Sequence, residues 1–450
     1  MTKHNKFKNI PELRFPEFKG DGEWEEKSVG DIYEFKTTNS LSREHLSYED
    51  GIIKNIHYGD IHTKFETLFS LAKEEVPYIK SDSIVLKKLK KDSYCKEGDM
   101  IFADASEDMD DIGKSIEILD LNNEKLVSGL HTILARPKDK KLIVGFGGYL
   151  FKSEPVRKQI QREAQGAKVL GISATRLAKV KISFPKNSKE QKKIADFLSS
   201  LDEVITAHSD KLKVLKDHKK GLMQVLFPQE GEKVPKYRFK EFKDDGEWEE
   251  STIVKIKSIL TDYVANGSFQ SLRENLNVLD GEGYAFYVRL TDLRAGLGHP
   301  DQKYVDEDTY LFLNKSSLFG GELLMANIGA NVGEVWQMPF VEKPATLAPN
   351  MIMIKFKASI DRRYIYQYLT SDIGLVSVSS VISGSGHPKI NKTDLGQVKV
   401  FLPPTLLEQQ KIADTLSSLD DLTTAQSEKI EQLQAHKKGL MQKLFPAINE

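Results

Sequence analysis

The chain has 450 residues, with 65 Lys and Arg against 66 Asp and Glu, a formal net charge of −1 and a single cysteine. That length predicts roughly two to four domains, and 39% hydrophobic with 29% charged residues excludes collagen-like and wholly disordered chains. Cys95 alone builds neither a disulfide framework nor a cysteine zinc site; with no apolar run of about 18 residues and a charged opening, Met1–Lys6, a cytoplasmic location is expected.

In chain order, the first element is Pro11–Glu26, PELRFPEFKGDGEWEE, an acidic turn before a strand. Ile53–Ile61 is a short apolar run closing on Asp60; it carries Lys54, Asn55, His57 and Tyr58, with Lys64 just beyond. Such side chains can reach phosphates or base edges, although a hydrated surface without a ligand is the commoner role of any one of them. Ser83–Leu86 and His131–Leu134 read as strands from their β-branched content. Lys87, Lys88, Lys90 and Lys91 form a run that is either a solvated face or a phosphate-contacting edge. Glu190–Leu226 has no proline and carries apolar residues at helical spacing. It predicts one helix of about 55 Å at 1.5 Å per residue, preceded by Pro185 and ended by Pro228. With Ile194 at heptad position a, Leu201, His208, Leu215 and Leu222 follow on one seam, which calls for a partner helix.

The second half repeats the first. Pro235–Glu250 reads PKYRFKEFKDDGEWEE, and Glu408–Pro446 matches Glu190–Pro228 at about 26 of 39 positions, far above chance. Between these ends only a skeleton persists. Phe286–Leu293, with Arg289 and Thr291 and followed by Arg294, answers to Ile53–Ile61, and Gly321–Ala326 answers to Gly98–Ala103. Lys389–Leu395 answers to Gly171–Leu177, and Met351–Ile354 reads as a strand. A duplicated frame with two dissimilar variable parts suits a reader of two different targets. The second seam runs Ile412, Leu419, Gln426, Leu433 and Leu440, so His208 and Gln426 are equivalent polar interruptions. They are expected either to meet at the axis of an antiparallel pair as a register device or to face solvent. Lys219, Lys220, Lys437 and Lys438, each pair in the string HKKGLMQ, favour a helix C-terminus or form a docking surface for a partner subunit.

Motifs for chemistry are weak. Asp21, Glu25 and Lys27 form a loose nuclease-like triad, yet its copy reads Asp245, Glu249 and Ser251. Leu402–Thr405 has the prolines of an adenine methyltransferase motif without its polar and aromatic partners, and neither Val144–Gly148 nor Gly329–Gly333 follows a nucleotide-binding pattern. The histidines have no metal-ligand spacing. No catalytic, cofactor-binding or metal-ligating residue is assigned.

Taken together, Gly22–Glu26 with Gly246–Glu250, Phe184–Pro185 with Leu402–Pro403, Glu190–Ala195 with Glu408–Ala413, and His218–Pro228 with His436–Pro446 make the chain resemble, over essentially its whole length, the specificity subunit of type I restriction-modification systems. The resemblance implies an α+β protein of two α/β target-recognition domains, residues 1–186 and 229–404, with two long antiparallel helices, residues 187–228 and 405–446, as a coiled-coil spacer in a pseudo-two-fold repeat. It implies a non-catalytic reader of double-stranded DNA. Two methyltransferase subunits and two motor-nuclease restriction subunits are its implied partners, and these carry S-adenosylmethionine, ATP and Mg2+. Under it, Lys54, Asn55, His57, Tyr58, Lys64, Lys87, Lys88, Arg289, Thr291, Arg294 and Lys389 are the DNA-contact candidates. The alternative is a duplicated protein-binding scaffold without DNA contact.

Overall fold

Each half-chain holds two larger sheets beside small two-stranded ladders, and the alternation of side chains along one buried strand divides its core. A computed structural model describes residues 9–80, 89–384 and 386–447; the strand expected at Ser83–Leu86 and the candidates Lys87 and Lys88 lie outside the described residues. The chain divides into two units, residues 1–209 with 428–450, and residues 210–427.

In the first unit, a five-stranded sheet has the order Tyr33–Lys36, Thr132–Pro137, Met100–Ala103, Ser115–Asp120, Leu68–Ser70. Its last pairing is parallel and the others antiparallel. Met100–Ala103 is buried throughout, because both faces are covered. Met100 and Phe102 pack into one cluster with Phe146, Tyr149 and Phe151. Ile101 and Ala103 point the other way, onto Ile56, Ile61 and Phe69, as a period of two requires. A second sheet has the order Lys125–Ser128, Ile53–Ile56, Tyr78–Ile79, Leu46–Ser47, with its first pair parallel.

The second unit repeats this plan. Lys257–Asp262, Met351–Phe356, Leu323–Ala326 and Val335–Gln337 form one sheet, where Leu323 and Met325 face one cluster and Leu324 the other. Ala285–Val288 pairs in parallel with Ala345–Leu347, as Ile53–Ile56 does with Lys125–Ser128. Gly98 and Gly321 both take a positive φ, 83° and 84°, which glycine adopts without penalty. Each precedes a buried acid. Asp99 meets Arg136 at 2.7 Å and Glu322 meets Lys355 at 3.3 Å.

The long helices are Ser188–Leu226 and Leu406–Leu444, 39 residues each, or about 58 Å. Each begins in a buried clamp. Arg14 donates Nε and Nη2 to the two carboxylate oxygens of Glu190 at 2.7 Å, and Trp24 Nε1 donates to the same carboxylate at 3.3 Å. Arg238, Trp248 and Glu408 reproduce it at 2.8, 2.7 and 3.3 Å. Thus the repeated tryptophan motif and the repeated Glu-Gln helix start are two halves of one contact. Within the first unit, Trp24 also packs on Phe445, 6.1 Å between rings, placing the end of the second long helix beside the start of the first. Asp202 and Lys437, farther along each, form an ion pair, so these segments run antiparallel. In the second unit Lys219 and Asp420 pair at 2.6 Å, with Met223, Leu226 and Ile412 in one cluster.

Candidate nucleic-acid interface

In each unit the parallel strand pair leads into a short helix whose first turn buries a carboxylate. In the first unit, Ile53 and Ile56 are buried in two different clusters, and Lys54 between them is largely covered, its Nζ 3.1 Å from Glu124 and 5.2 Å from the centre of the Tyr78 ring. Asn55 is fully buried; its Oδ1 accepts from Asn39 at 2.7 Å, while its Nδ2 has no hydrogen-bond partner. Helix Tyr58–Thr63 is capped by His57, whose Nδ1 accepts the Gly59 N–H at 3.2 Å. Burial, and next the Arg43 charge, hold His57 below the usual imidazole range, so its ring is neutral.

Asp60 is completely buried under this corner and draws Arg43 to 3.0 Å and Lys64 to 3.4 Å. Lys64 also donates to the Tyr48 hydroxyl at 3.0 Å. Tyr58 lies among three histidine rings, with centroids of His57, His131 and His62 at 4.6, 5.3 and 5.8 Å. His131 adopts φ 54° and donates Nδ1 to Asp104 at 3.1 Å. The loop after Met100–Ala103 rests on the helix, with the Ala105 carbonyl accepting from His62 Nε2 at 3.0 Å and Lys114 donating to the His62 carbonyl at 2.7 Å.

The second unit builds the same corner from other side chains. Helix Leu290–Ala295 follows Ala285–Val288, and buried Asp292 accepts from Arg289 Nη2 at 2.6 Å and from His299 Nε2 at 2.9 Å. Burial pushes the Asp292 carboxyl up, but these hydrogen bonds outweigh it and leave the group below its ordinary value. Thr291 is exposed, and exposed Arg294 pairs with Glu334. Glu334 ends the loop whose Ile328 bridges Lys389, so Arg294 and exposed Lys389 flank one loop.

The structure therefore gathers Lys54, Asn55, His57, Tyr58 and Lys64 at one corner, and Arg289, Thr291 and Arg294 at the other, with Lys389 across the adjoining loop. Arg43, His131 and His299 were absent from the sequence-based candidates. Each meets its acid only through the fold, Arg43 from 17 residues before Asp60. A buried carboxylate holding partly exposed guanidinium, ammonium and imidazole groups presents fixed donors, which suits phosphate oxygens and the acceptors of base edges.

The remaining candidates lie on the long helices. Lys219 and Lys437 are engaged with Asp420 and Asp202, and Lys437 Nζ lies 5.1 Å from the Tyr149 ring centre. Lys220 and Lys438 are exposed. His208 is half-buried and Gln426 is buried. Among the described residues, no group of three or more His, Cys, Asp or Glu side chains is arranged to hold a metal ion, and no helix is long and apolar enough to cross a membrane. Cys95 is buried, and burial raises its thiol pKa.

Residues 21–217 and 249–435 each match the family model described as type I restriction modification DNA specificity domain. The putative type I restriction enzyme MjaX specificity subunit of Methanocaldococcus jannaschii is 28% identical over 357 residues, 77% of either chain. The MjaVIII specificity subunit of the same organism is 25% identical over 314 residues, 66% of this chain and 69% of its own. Among solved structures, the S subunit of a type I restriction-modification system from M. genitalium superposes with a TM-score of 0.56 at 16% identity, covering 98% of this chain and 100% of that one. A chain from a study of complex assembly and conformational transition of the type I R-M system gives 0.54 at 14% identity, covering 94% and 98%. At these identities the two structures speak for the fold.

Proposed function

The chain belongs to the type I restriction-modification DNA specificity family, and from that membership we propose that it reads a bipartite, asymmetric DNA target and positions methyltransferase and nuclease subunits on it. The observation that carries this reading is one frame holding two unlike corners. Asp60 gathers Arg43 and Lys64 in one unit, and Asp292 gathers Arg289 and His299 in the other. A common backbone with different donors supplies two different readers, because base choice follows the donor and acceptor pattern offered to the major groove.

In this proposal Lys54, Asn55, His57, Tyr58 and Lys64 serve one half-site, and Arg289, Thr291, Arg294 and Lys389 the other; lysines and arginines fix register on phosphates. The long helices set the unread gap, and His208 and Gln426 hold their register. The chain itself performs no chemistry. Two methyltransferase subunits with S-adenosylmethionine flip and methylate an adenine in each half-site, and two restriction subunits with ATP and Mg2+ complete the assembly in the cytoplasm. Replacing residues 30–180 by another first insert tests this in a methylation map of the host. One half of the motif changes and the other stays; a change in both halves contradicts modular reading.

A further inference from the structure

Where two copies of one frame differ in charge at a single place, the difference is not something the frame requires. Ser153 and Ser371 each donate Oγ at 2.6 Å to the carbonyl three residues earlier, Leu150 and Tyr368, and Ile160 and Val378 are buried at matching positions. The helices that follow, Glu154–Glu163 and Asp372–Ser379, are therefore in the same register. The contacts made from there to the long helices recur as well. Gln442 donates to Glu154 at 2.8 Å and Gln224 to Asp372 at 3.4 Å. Lys152, Arg157 and Lys158 do not recur. Their counterparts are Thr370, Leu375 and Val376, and the last two are exposed apolar side chains, 47% and 69%.

These three cations line a cleft of about 620 Å³ in the first unit, between Glu154–Glu163 and the long-helix segments. Its carboxylates are already engaged. Asp202 accepts from Lys437 and Tyr149, Glu154 meets Lys158 at 2.5 Å, and Asp110 accepts from Gln161 at 3.2 Å. Lys152, by contrast, donates to the Thr67 hydroxyl at 2.6 Å and, among the described residues, pairs with no carboxylate. Arg157 gives Nη2 to the Asp110 and Ile112 carbonyls, and its buried Nη1 has no hydrogen-bond partner. Burial, and next repulsion from Lys437, pull the Lys152 amine down to about 8. The wall is short of anions.

Ile205 and Met441 give the cleft an apolar side, and Gln434 and Gln442 contribute amides. That mixture suits peptide side chains more than a bare phosphate. In the second unit the matching cleft, about 230 Å³, takes its cations from the long helix alone, Lys216, Lys219 and Lys220, beside Thr370 and Asp372, while the exposed apolar Leu375 and Val376 lie outside its lining. We propose that the cleft of the first unit docks an acidic segment of a partner protein, Asp and Glu beside apolar side chains, and that the matching cleft of the second unit, whose cations come from the long helix alone, holds the same segment through fewer charges. The proposal rests on the reading of this chain as a subunit that gathers methyltransferase subunits.

The test is uptake of the purified methyltransferase subunit by the full chain, followed by native mass spectrometry from about 50 to about 500 mM salt, a range over which exposed charges become screened. The wild-type chain takes two partners, and salt removes one of them first. K152T/R157L/K158V, which grafts the side chains of the second unit, weakens that step about tenfold or more at low salt and flattens its salt dependence. The reciprocal graft T370K/L375R/V376K makes the other step more steeply salt-dependent, and carries the test if the first variant folds poorly. Wild-type affinity and salt dependence in either graft overturn the proposal. So does a loss confined to binding of a non-specific DNA duplex, which identifies the occupant as nucleic acid. A wild-type chain that takes no partner overturns the specificity-subunit reading together with this one, whereas two partners released alike by salt overturn this proposal alone.

Discussion

Glu190→Gln removes one charge from a clamp whose side chains are 6% exposed at Arg14 and 1% at Glu190. Two charge-assisted hydrogen bonds at 2.7 Å become at best one bond from the guanidinium to an uncharged amide oxygen, and the guanidinium stays buried without a counter-charge. Breaking a buried pair from one side costs about 3–5 kcal/mol, or a factor of about 10² to 4 × 10³ in an opening equilibrium. The amides nearest the clamp lie in the two-stranded ladder of Glu25–Ser28 with Lys181–Phe184. Hydrogen exchange there rises by that factor where exchange proceeds through opening of the unit, while the matching ladder Glu249–Thr252 with Lys399–Leu402 is unchanged. Glu408→Gln reverses the pattern. R14M/E190L, which removes both charges, recovers part of the loss, because no charge stays buried and unpaired, although Trp24 Nε1 and the Gly22 carbonyl lose their partners. A change below about 1 kcal/mol, or equal exchange in both ladders, refutes the assignment of the clamp as the local anchor of each helix.

Glu117 is buried, accepts the Gly148 N–H at 2.6 Å, and is pushed up by burial to about 7 from 4.5. The folded state holds a proton that the unfolded chain releases between those values, so stability falls as pH rises from about 4.5 to about 7, by up to about 3 kcal/mol. Glu117→Gln removes that slope, and urea midpoints across the window check it. Lys389 is exposed, so Lys389→Met leaves the melting curve unchanged; DNA affinity of the assembled complex falls across all sequences and the logarithmic salt slope drops by about 1. Retention of the slope excludes a phosphate contact. Inserting four helical residues after Leu212 and after Ile430 lengthens each helix by about 6 Å and widens the unread gap by about two base pairs, with both half-sites intact. A constant gap with altered half-sites contradicts the ruler role.

The duplication and the long helices were legible because they rest on local patterns, identical strings and an apolar repeat bounded by prolines. The contacts that give those strings their purpose were not, because they join distant positions. Arg14 stands in the weaker part of the first motif, 176 residues before Glu190. The Lys219 and Lys437 partners, Asp420 and Asp202, are themselves a duplicated pair, and crossing the two copies would have matched them from sequence. Acidic composition hid one equivalence. Residues 105–113 look unlike the glycine-rich turn at 329–333, yet Gly113 donates to the Ala103 carbonyl at 3.0 Å as Gly333 does to Ala326 at 2.8 Å. Backbone geometry, not side-chain character, is what the copies share there. At the corners the candidate residues were read from type and place, but Arg43, His131 and His299 required knowing which loop folds over which carboxylate.

The most direct measurement is a base-resolution map of modified adenines in the host genome with and without this chain. The account predicts one motif of two unlike half-sites at fixed spacing, present with the chain and lost on its deletion. An unchanged methylation map contradicts it and leaves the duplicated frame as a protein-binding scaffold; loss of a single continuous palindrome contradicts the reading of two unlike half-sites.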